Sequence, residues 1–549
     1  MTASTHEVFN QSTCWSGANL FDGNRALKDA LAFHLPALDA SPLVALGREA
    51  GSAEMQAHAR LANQHKPQLH DHDRYGRRID QVEFHPSYHV LLGTALRHGL
   101  HGAPWRRAPG AHVERAAAFM LFTELEPSVL CPVSMTYAVT PALRANPALH
   151  TAWGPGLAGT QYDPRFVPAA AKSALTMGMG MTEKQGGSDV RSNTTRAVFA
   201  ADTHWGRAYR LTGHKWFMSA PMCDAFLVLA QSDAGLSCFF VPRWRHDGSV
   251  NPLRIQRLKD KLGNCANASA EVEFDGETTG WLVGDEGRGV PQILAMGALT
   301  RLDCALGTAG LMRQALTLAL HHCRERMAFG NPLAAQPLMQ NVLADLALES
   351  EAAMSLALRL ARSVDASEHG GDAHEEVIRR VLTPIAKFWI CKRGAGFAQE
   401  AMECLGGNGY VEERGEGVMA RIYREMPVNS IWEGAGNIMA LDLLRALRGA
   451  DVASALSQEL APAHGEHAAF DRLAATLPDR IDGTTEEAQA RWLARDIALL
   501  VQAALLRRHS TDAVFAAFCV SRLEQASDVF GLLPRGTPFD TLLERALPH

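Results

Sequence analysis

The sequence predicts a multidomain α+β protein, with a helical N-terminal region, a middle β-domain, a helical bundle and an extra C-terminal helical domain. Three observations predict it. At 549 residues the chain exceeds what one hydrophobic core organises, so several domains are expected. Apolar residues recur at three- and four-residue spacing over long stretches on both sides of residues 176–290, as amphipathic helices require. Within 176–290 the pattern changes to short runs, alternating or rich in β-branched and aromatic residues, cut by Gly, Asp, Asn and Pro.

Along the chain, LVALGREAGSAEMQAHARLANQ and HVERAAAFMLFTEL carry the helical spacing of the first domain, residues 1–175. Between them lies HDHDRYGRRIDQVEFHPSYHVLLGTAL, where Asp71 and Asp73 read as solvated loop charges. Its His70, His72, His85 and His89 have spacings that match no compact site, so no metal is expected. AYRLTGHKWFMSAP, AFLVLAQ, LSCFFVPRW, RIQRLKDKLG and ASAEVEFDG supply the strands of the β-domain, residues 176–290, which ends near Gly289. The next domain, residues 291–449, contains three long amphipathic stretches: QILAMGALTRLDCALGTAGLMRQALTLALHHCRER, LMQNVLADLALESEAAMSLALRLARSV and EEVIRRVLTPIAKFWICKRGAGFAQEAMECLG. Long helices with short connections make a bundle, with SEHGGDAHEE read as a loop inside it. Behind the connection APAHGEH, RWLARDIALLVQAALLRRHS and TDAVFAAFCVSRLEQA predict a last helical domain, residues 450–549.

Composition narrows the function. With 47% hydrophobic and 20% charged residues the chain is that of a soluble globular protein. A formal charge of −6 confines any nucleic-acid binding to a local basic patch. Ten cysteines lie scattered with no C-x-x-C pair, as expected of reduced thiols in a cytosol. The start, MTASTHEVFNQ, lacks the basic and apolar regions of a signal peptide, and no apolar run reaches membrane-spanning length. A cytoplasmic protein without membrane contact is expected.

The stretch RIYREMPVNSIWEGAGNIMALDLLRAL carries the most chemistry. It sets Glu433 between Trp432 and Gly434 in a Gly-rich bend that runs into an amphipathic helix. One carboxylate there is well placed as a general base, because the glycines let backbone approach a flat ligand and the helix start offers unpaired N–H groups. The alternative is a capped turn with an exposed Glu.

Three further motifs stand with it. MTEKQGGSDV resembles the Thr-Glu, Gly-rich, Ser-Asp loop of the acyl-CoA dehydrogenase family, and LTGHKWFMSAP its Gly-x-Lys-x-aromatic-x-Ser/Thr strand. RMAFGNPL, with Gln340 and LADL, resembles its Arg-x-x-Phe-Gly segment. MECLGGNGYVEE followed by IWEGAGNI resembles its last flavin-contacting stretch. The resemblance covers roughly Pro104 to Leu447 and implies FAD as cofactor, with an acyl-CoA as the small-molecule partner. By resemblance, Met181 and Thr182 lie along the flavin and Ser188 donates to its pyrophosphate. Phe217 stacks beside the ring, with Met218 and Ser219 bonding near its reactive edge. Arg326, in one segment with Phe329 and Gln340, matches the position that reaches a neighbouring subunit's flavin pyrophosphate. Gly406 and Gly407 match the approach to its adenine end, and Phe329, Gln340 and, around the base Glu433, Ile431, Trp432, Gly434 and Asn437 are implied to bind the cofactor as well. Read alone, Phe217 is a core aromatic on a strand rather than a ligand contact, and Arg326 is equally a cation complementing a helix C-terminus.

DRYGRRIDQVEFHPSYH, MTEKQGGSDVRSNTTR, REMPVNSIWEGAGNIM and the extra C-terminal domain are similar to the AidB-like subgroup of that family. This implies a flavoprotein of the response to DNA alkylation that binds double-stranded DNA without sequence preference and forms a homotetramer. The family's alternative base position falls on Thr300, which cannot serve, and Trp432 is bulkier than the usual Tyr, so weak or vestigial dehydrogenase activity is expected. Arg445, Arg448, Arg507, Arg508 and Arg522 are the candidate phosphate contacts, repeated across an assembly for avidity. Alternatively Arg507 and Arg508 cap a helix C-terminus and Arg445 forms bundle ion pairs. The second functional reading is a working dehydrogenase of short or branched acyl-CoAs whose C-terminal domain only stabilises the oligomer.

Overall fold

Helices open the chain: α1 (Arg25–His34), α2 (Ser41–Ala50) and α3 (Ala53–Gln64). Asn24 caps α1, its side chain accepting from the Leu27 N–H, which satisfies one orphan donor of the first turn. The computed structural model describes residues 5–449, 451–483 and 486–548, so Met1–Ser4 of the polar start lie outside the described residues. A hairpin follows, β1 (Gln68–His72) and β2 (Arg78–Glu83), and then α4 (Pro86–Arg97), α5 (Ala111–Leu125), α6 (Leu130–Leu143) and α7 (Pro147–Leu157). The hairpin corrects the reading of HDHDRYG as loop: Asp71 lies on β1, and only Asp73 is a turn residue, accepting from the N–H groups of Tyr75 and Arg77. The four histidines of that stretch take separate partners: His70 meets Glu83 across the hairpin, His72 lies 3.3 Å from Asp71, His85 caps α4 and His89 bonds Tyr162.

The middle region supplies β3 (Met177–Gly180), β4 (Arg196–Thr203), β5 (Gly206–Ser219), β6 (Ala225–Ser232), β7 (Gly235–Pro242), β8 (Arg254–Leu258) and β9 (Ser269–Val283). Their order in one sheet is β3-β5-β4-β6-β7-β9-β8, and β5 also pairs with β9, so the sheet closes on itself. Closure needs the two long strands, β5 and β9, each of which pairs on more than one side. Phe226–Leu229 of β6 and Cys238–Val241 of β7 are buried on both faces, which explains why they read as continuous apolar runs.

From Gly289 the chain is helical: α8 (Gly289–Glu325), a two-stranded turn of β10 (Met327–Ala328) and β11 (Asn331–Pro332), α9 (Pro337–Gly370), α10 (Ala373–Glu403), α11 (Gly407–Tyr410), α12 (Val418–Asn429) and α13 (Gly436–Ala446). The expected loop SEHGGDAHEE is far shorter. Helix α9 continues to Gly370, Gly371 takes a left-handed conformation, and Asp372 caps α10 at once by accepting from His374 and Glu375. After α14 (Val452–Leu460), α15 (Ala468–Ala474) and α16 (Leu477–Asp482) come α17 (Ala490–His509), α18 (Asp512–Cys519) and α19 (Phe539–Ala546).

The chain forms two compact units, one of Ala57–Asp303 with Glu433–Ala435, the other of Met1–Gln56, Cys304–Trp432 and Gly436–His549. The first holds the closed sheet and helices α4–α7. In the second, α10 packs on α9, α12 and α13, and α17 packs on α9, α10 and α13. The C-terminal helices therefore share the core of the bundle, with α1 and α19 also packed on α9.

Candidate active site and cofactor cradle

On the closed sheet, the loop that follows β3 is tied down by a buried ion pair. Glu183 and Lys215 are fully buried and 2.7 Å apart. The carboxylate also accepts from the backbone N–H groups of Thr194 and Thr195, from the Thr194 hydroxyl and from the Gln185 amide. Burial alone raises the Glu183 carboxyl, but the Lys215 ammonium and these donors outweigh it and hold it well below the usual carboxylate range. Burial pushes Lys215 down to about 8 against the pull of Glu183, so both partners are charged at neutral pH. Sequence reasoning singles out neither residue. The signal lies in the Thr-Glu and Gly-x-Lys motifs, which place opposite charges among apolar neighbours.

This pair fixes the sequence-identified residues. The Met181 carbonyl accepts from the Asn193 amide at 2.8 Å, and the Thr182 carbonyl accepts from the Trp216 N–H at 2.8 Å. The β5–β9 ladder slips between Lys215 and Met218, so Trp216 and Phe217 fall in a bulge. The bulge turns the Phe217 ring outward, where it is 47% exposed, while Met218 is buried and Ser219 pairs with Met179 of β3. Phe217 is therefore not the core aromatic that its strand position alone suggests: its ring lies exposed on the bulge. Ser188 is exposed beyond Gly186 and Gly187. At Gly187 an added Cβ would stand 2.7 Å from the Thr182 hydroxyl, so the loop hugs Thr182 only because this residue is Gly.

Glu433 belongs to the same compact unit. It is half-buried, with φ 59, followed by Gly434 with φ 105. A non-Gly residue in the left-handed region costs energy and persists only where its surroundings hold it. Arg301 of α8 donates to the Glu433 carbonyl at 2.9 Å, and the Glu433 carboxylate lies over Gly297, where an added Cβ would be 3.9 Å from Oε2. Thr300, one turn on, is buried, and its hydroxyl donates to the Gly297 carbonyl. Asp303 is committed to a bidentate pair with the buried Arg115. Glu433 thus stands at this bend with its carboxylate beside Gly297 of α8.

In the other unit, Ile431 is 63% exposed and Trp432 half-buried, its indole N–H donating to the Asn429 side chain at 3.1 Å. Asn437 is exposed in the first turn of α13. Arg326 follows α8, and Phe329 with Gly330 forms the two-residue turn between β10 and β11, both with positive φ. Phe329 is 95% exposed, Gln340 is half-buried in the first turn of α9, and Gly406 and Gly407 are exposed with open space around their Cα atoms.

The five candidate arginines do not share one environment. Arg445 and Arg448 are exposed at the C-terminal end of α13. Arg507 pairs with Glu466 and Asp512, and Arg508 lies 3.8 Å from Glu459, both in the last turn of α17. Arg522 is a correction: it is buried, with its guanidinium held by Asp345 and Glu349 of α9, so it has no face for a phosphate. Two cations that sequence reasoning misses stand at the opposite end of α13. An added Cβ at Gly436 would be 3.1 Å from both Lys392 and Arg491, residues brought together from α10 and α17. No local signal links positions so far apart in sequence.

Comparison with known proteins agrees with this geometry. Residues 10–164 match the AidB N-terminal domain of the adaptive response protein, residues 178–276 the acyl-CoA dehydrogenase middle domain and residues 287–448 the acyl-CoA dehydrogenase C-terminal domain. The chain is 46% identical to the putative acyl-CoA dehydrogenase AidB of Escherichia coli (strain K12) over 96% of both chains. It is 30% identical to acyl-CoA dehydrogenase family member 11 of Caenorhabditis elegans over 72% of this chain and 65% of that one. The solved structure of Caenorhabditis elegans ACDH-11 in complex with C11-CoA superposes with a TM-score of 0.85 at 27% identity, covering 95% of this chain and 94% of that one. The apo form of Bd2924 does so with a TM-score of 0.83 at 31% identity, covering 92% of this chain and 100% of that one. Acyl-CoA dehydrogenases are FAD flavoproteins, and the residues present fit that group: an outward aromatic, hydroxyls on a Gly-rich loop and open glycines for a close backbone approach. On these grounds the chain belongs to the acyl-CoA dehydrogenase family, in its AidB-like branch.

Proposed function

We propose that this protein is an FAD-containing flavoprotein of the response to DNA alkylation that binds double-stranded DNA without sequence preference, acts as a homotetramer and retains weak α,β-dehydrogenation of acyl-CoAs. The observation that carries the reading is the 46% identity to AidB, sustained through the C-terminal helices over 96% of the chain. The cofactor, when bound, accepts a hydride from the β-carbon of an acyl thioester. Glu433 takes the α-proton: its bend presents a half-buried carboxylate, and Arg301 fixes the backbone that carries it. Met181, Thr182, Ser188, Phe217, Met218 and Ser219 line the flavin, and Arg326, Gly406 and Gly407 meet the diphosphate and adenine end of a neighbouring subunit's cofactor. The apolar side chains of Val8, Phe9, Phe329, Leu338 and Tyr410, all more than half exposed, suit burial between subunits. Trp432, anchored to Asn429, narrows the acyl pocket and keeps turnover low.

Duplex DNA meets the cations at the two ends of α13: Lys392 and Arg491 at its start, Arg445 and Arg448 at its end. An eleven-residue helix spans about 16 Å, a distance over which a duplex presents several phosphates. The second reading, a working dehydrogenase, draws on the intact base Glu433 and on the C11-CoA held by the Caenorhabditis elegans neighbour. The two separate in one comparison on purified protein: duplex binding across a salt titration beside steady-state turnover on short, branched and medium-chain acyl-CoAs. Steeply salt-dependent binding with slow turnover supports the proposal. Rapid turnover with no duplex binding replaces it with the second reading.

A further inference from the structure

We propose that Asn10 is a positioning residue for the cofactor diphosphate, holding the Arg326 guanidinium and the turn after it in the orientation that an anionic group needs. The inference rests on the proposed role of Arg326 toward the flavin. Asn10 takes a left-handed conformation, φ 53, which Asn tolerates better than most side chains, and this turns its amide and its carbonyl toward the same segment. The side-chain oxygen accepts from the Met327 N–H at 2.7 Å, and the side-chain nitrogen donates to the Met327 carbonyl at 2.9 Å. These are the two bonds a neighbouring strand would make, supplied here by one amide. The Asn10 carbonyl accepts from Nη1 of Arg326. A neutral carbonyl orients a guanidinium without cancelling its charge, and it uses one of five N–H donors.

The rest of the N-terminal strap supports that arrangement. Glu325, the carboxylate next in sequence to Arg326, accepts from the Thr13 N–H and hydroxyl at 2.6 to 3.0 Å, so it is engaged away from the guanidinium. Ser12 bonds His322 at 2.9 Å, fixing the strap along the last turn of α8. Gln11 accepts from Asn408 at 3.1 Å, beside Gly406 and Gly407. One short segment thus ties together the two loops assigned to the diphosphate and adenine ends of the cofactor, although more than three hundred residues separate it from either.

The test is FAD affinity of the deflavinated full-length protein, read by quenching of FAD fluorescence for wild type, Asn10→Ala, Arg326→Ala, the double variant and Thr13→Val. Assembly of each is followed by light scattering. Asn10→Ala is expected to weaken FAD binding about tenfold, the worth of a hydrogen bond to a charged group, with assembly unchanged. In the Arg326→Ala background the same change is expected to have less than a twofold effect, because the group it positions is gone. Thr13→Val loses the hydroxyl bonds to Glu325 but keeps the backbone N–H bond that engages it, so it is expected to lower FAD affinity less than twofold. Equal losses from Asn10→Ala in both backgrounds, an equal loss from Thr13→Val, or a loss that appears only with dissociation of the assembly overturns the proposal. If Arg326→Ala itself leaves FAD affinity unchanged, the role assigned to Arg326 fails, and the positioning role with it. If Arg326→Ala weakens binding while Asn10→Ala does not, only the positioning role fails.

Discussion

A single carboxylate carries the chemistry assigned to this chain, and its surroundings define the mutation that isolates it. Glu433 sits at φ 59, its carbonyl held by Arg301 and its carboxylate over Gly297, with Thr300 and Asp303 committed elsewhere. Glu433→Gln keeps the shape and removes only the proton acceptor, so FAD content should be unchanged while reduction of bound flavin by an acyl-CoA disappears. Anaerobic mixing followed at the flavin absorbance reads both, and residual bleaching at the wild-type rate would assign the base to another group. Glu433 is legible from its neighbours in sequence because the bend, the glycines and the helix that follow are contiguous. Asn10 is not, because its partners are Arg326 and Met327, and nothing local marks an Asn whose bonds close over such a separation. The Glu183–Lys215 pair lies between these cases, with both members inside recognised motifs but their pairing dependent on the bulge in β5.

Elements differ in how far sequence exposes them, and the differences have physical causes. Helices α8, α9 and α10 are visible because an apolar stripe repeated over many turns leaves no other reading. Strand β3 is four residues of Met and Gly, too short and too plain to signal anything, and it exists because β6 and β5 receive it. The C-terminal arginines mislead for a related reason. Sequence shows a cation, whereas only packing shows that Arg522 is drawn into the core by Asp345 and Glu349. Arg522→Ala should therefore act on stability: breaking a buried ion pair costs about 3–5 kcal/mol. A fall in melting temperature without a selective change in DNA affinity is expected from thermal scans and duplex titration. A second consequence arises where α1 meets α17. Burial holds His34 down to about 3, with His509 and then neighbouring arginines adding to the effect, and holds His509 down to about 4 against the opposing pull of Glu351; ring nitrogens of both are buried without hydrogen-bond partners. Below pH 6.5 the unfolded chain binds protons that the folded chain refuses, so stability is full above that pH and falls as pH drops toward 4. Each site contributes up to about 1.4 kcal/mol per pH unit in that window. Replacing both histidines by Gln should flatten the decline of melting temperature between pH 6.5 and 4, and an unchanged slope would show that the acid limb belongs to the buried carboxylates.

At the scale of the whole molecule, the proposed duplex binding has to be reconciled with an acidic chain, and the fold decides which part can be altered to test it. The formal charge of −6 opposes approach at long range, so binding must come from local cations and fall steeply with salt. Deleting the residues after Gly449 is the obvious experiment, but the fold makes it uninformative. Leu499, Leu500, Ala503 and Leu506 of α17 are buried, and α17 packs on α9, α10 and α13, so the deletion removes one wall of the bundle core. The truncated chain should be insoluble or lose cooperative unfolding whatever its role toward DNA. Exposed cations of α13 and its neighbours allow the cleaner test. Arg445→Ala and Arg491→Ala should each leave FAD content and melting temperature unchanged and weaken duplex binding by a similar factor at any sequence. Each should also lower the slope of log affinity against log salt by about one for every phosphate that its guanidinium no longer neutralises. Fluorescence anisotropy with two duplexes of unrelated sequence, taken across a salt series, reads affinity, salt slope and sequence tolerance together. Variants that both match wild type at every salt concentration would remove α13 from the DNA surface, and a loss confined to one duplex would replace backbone recognition with base readout.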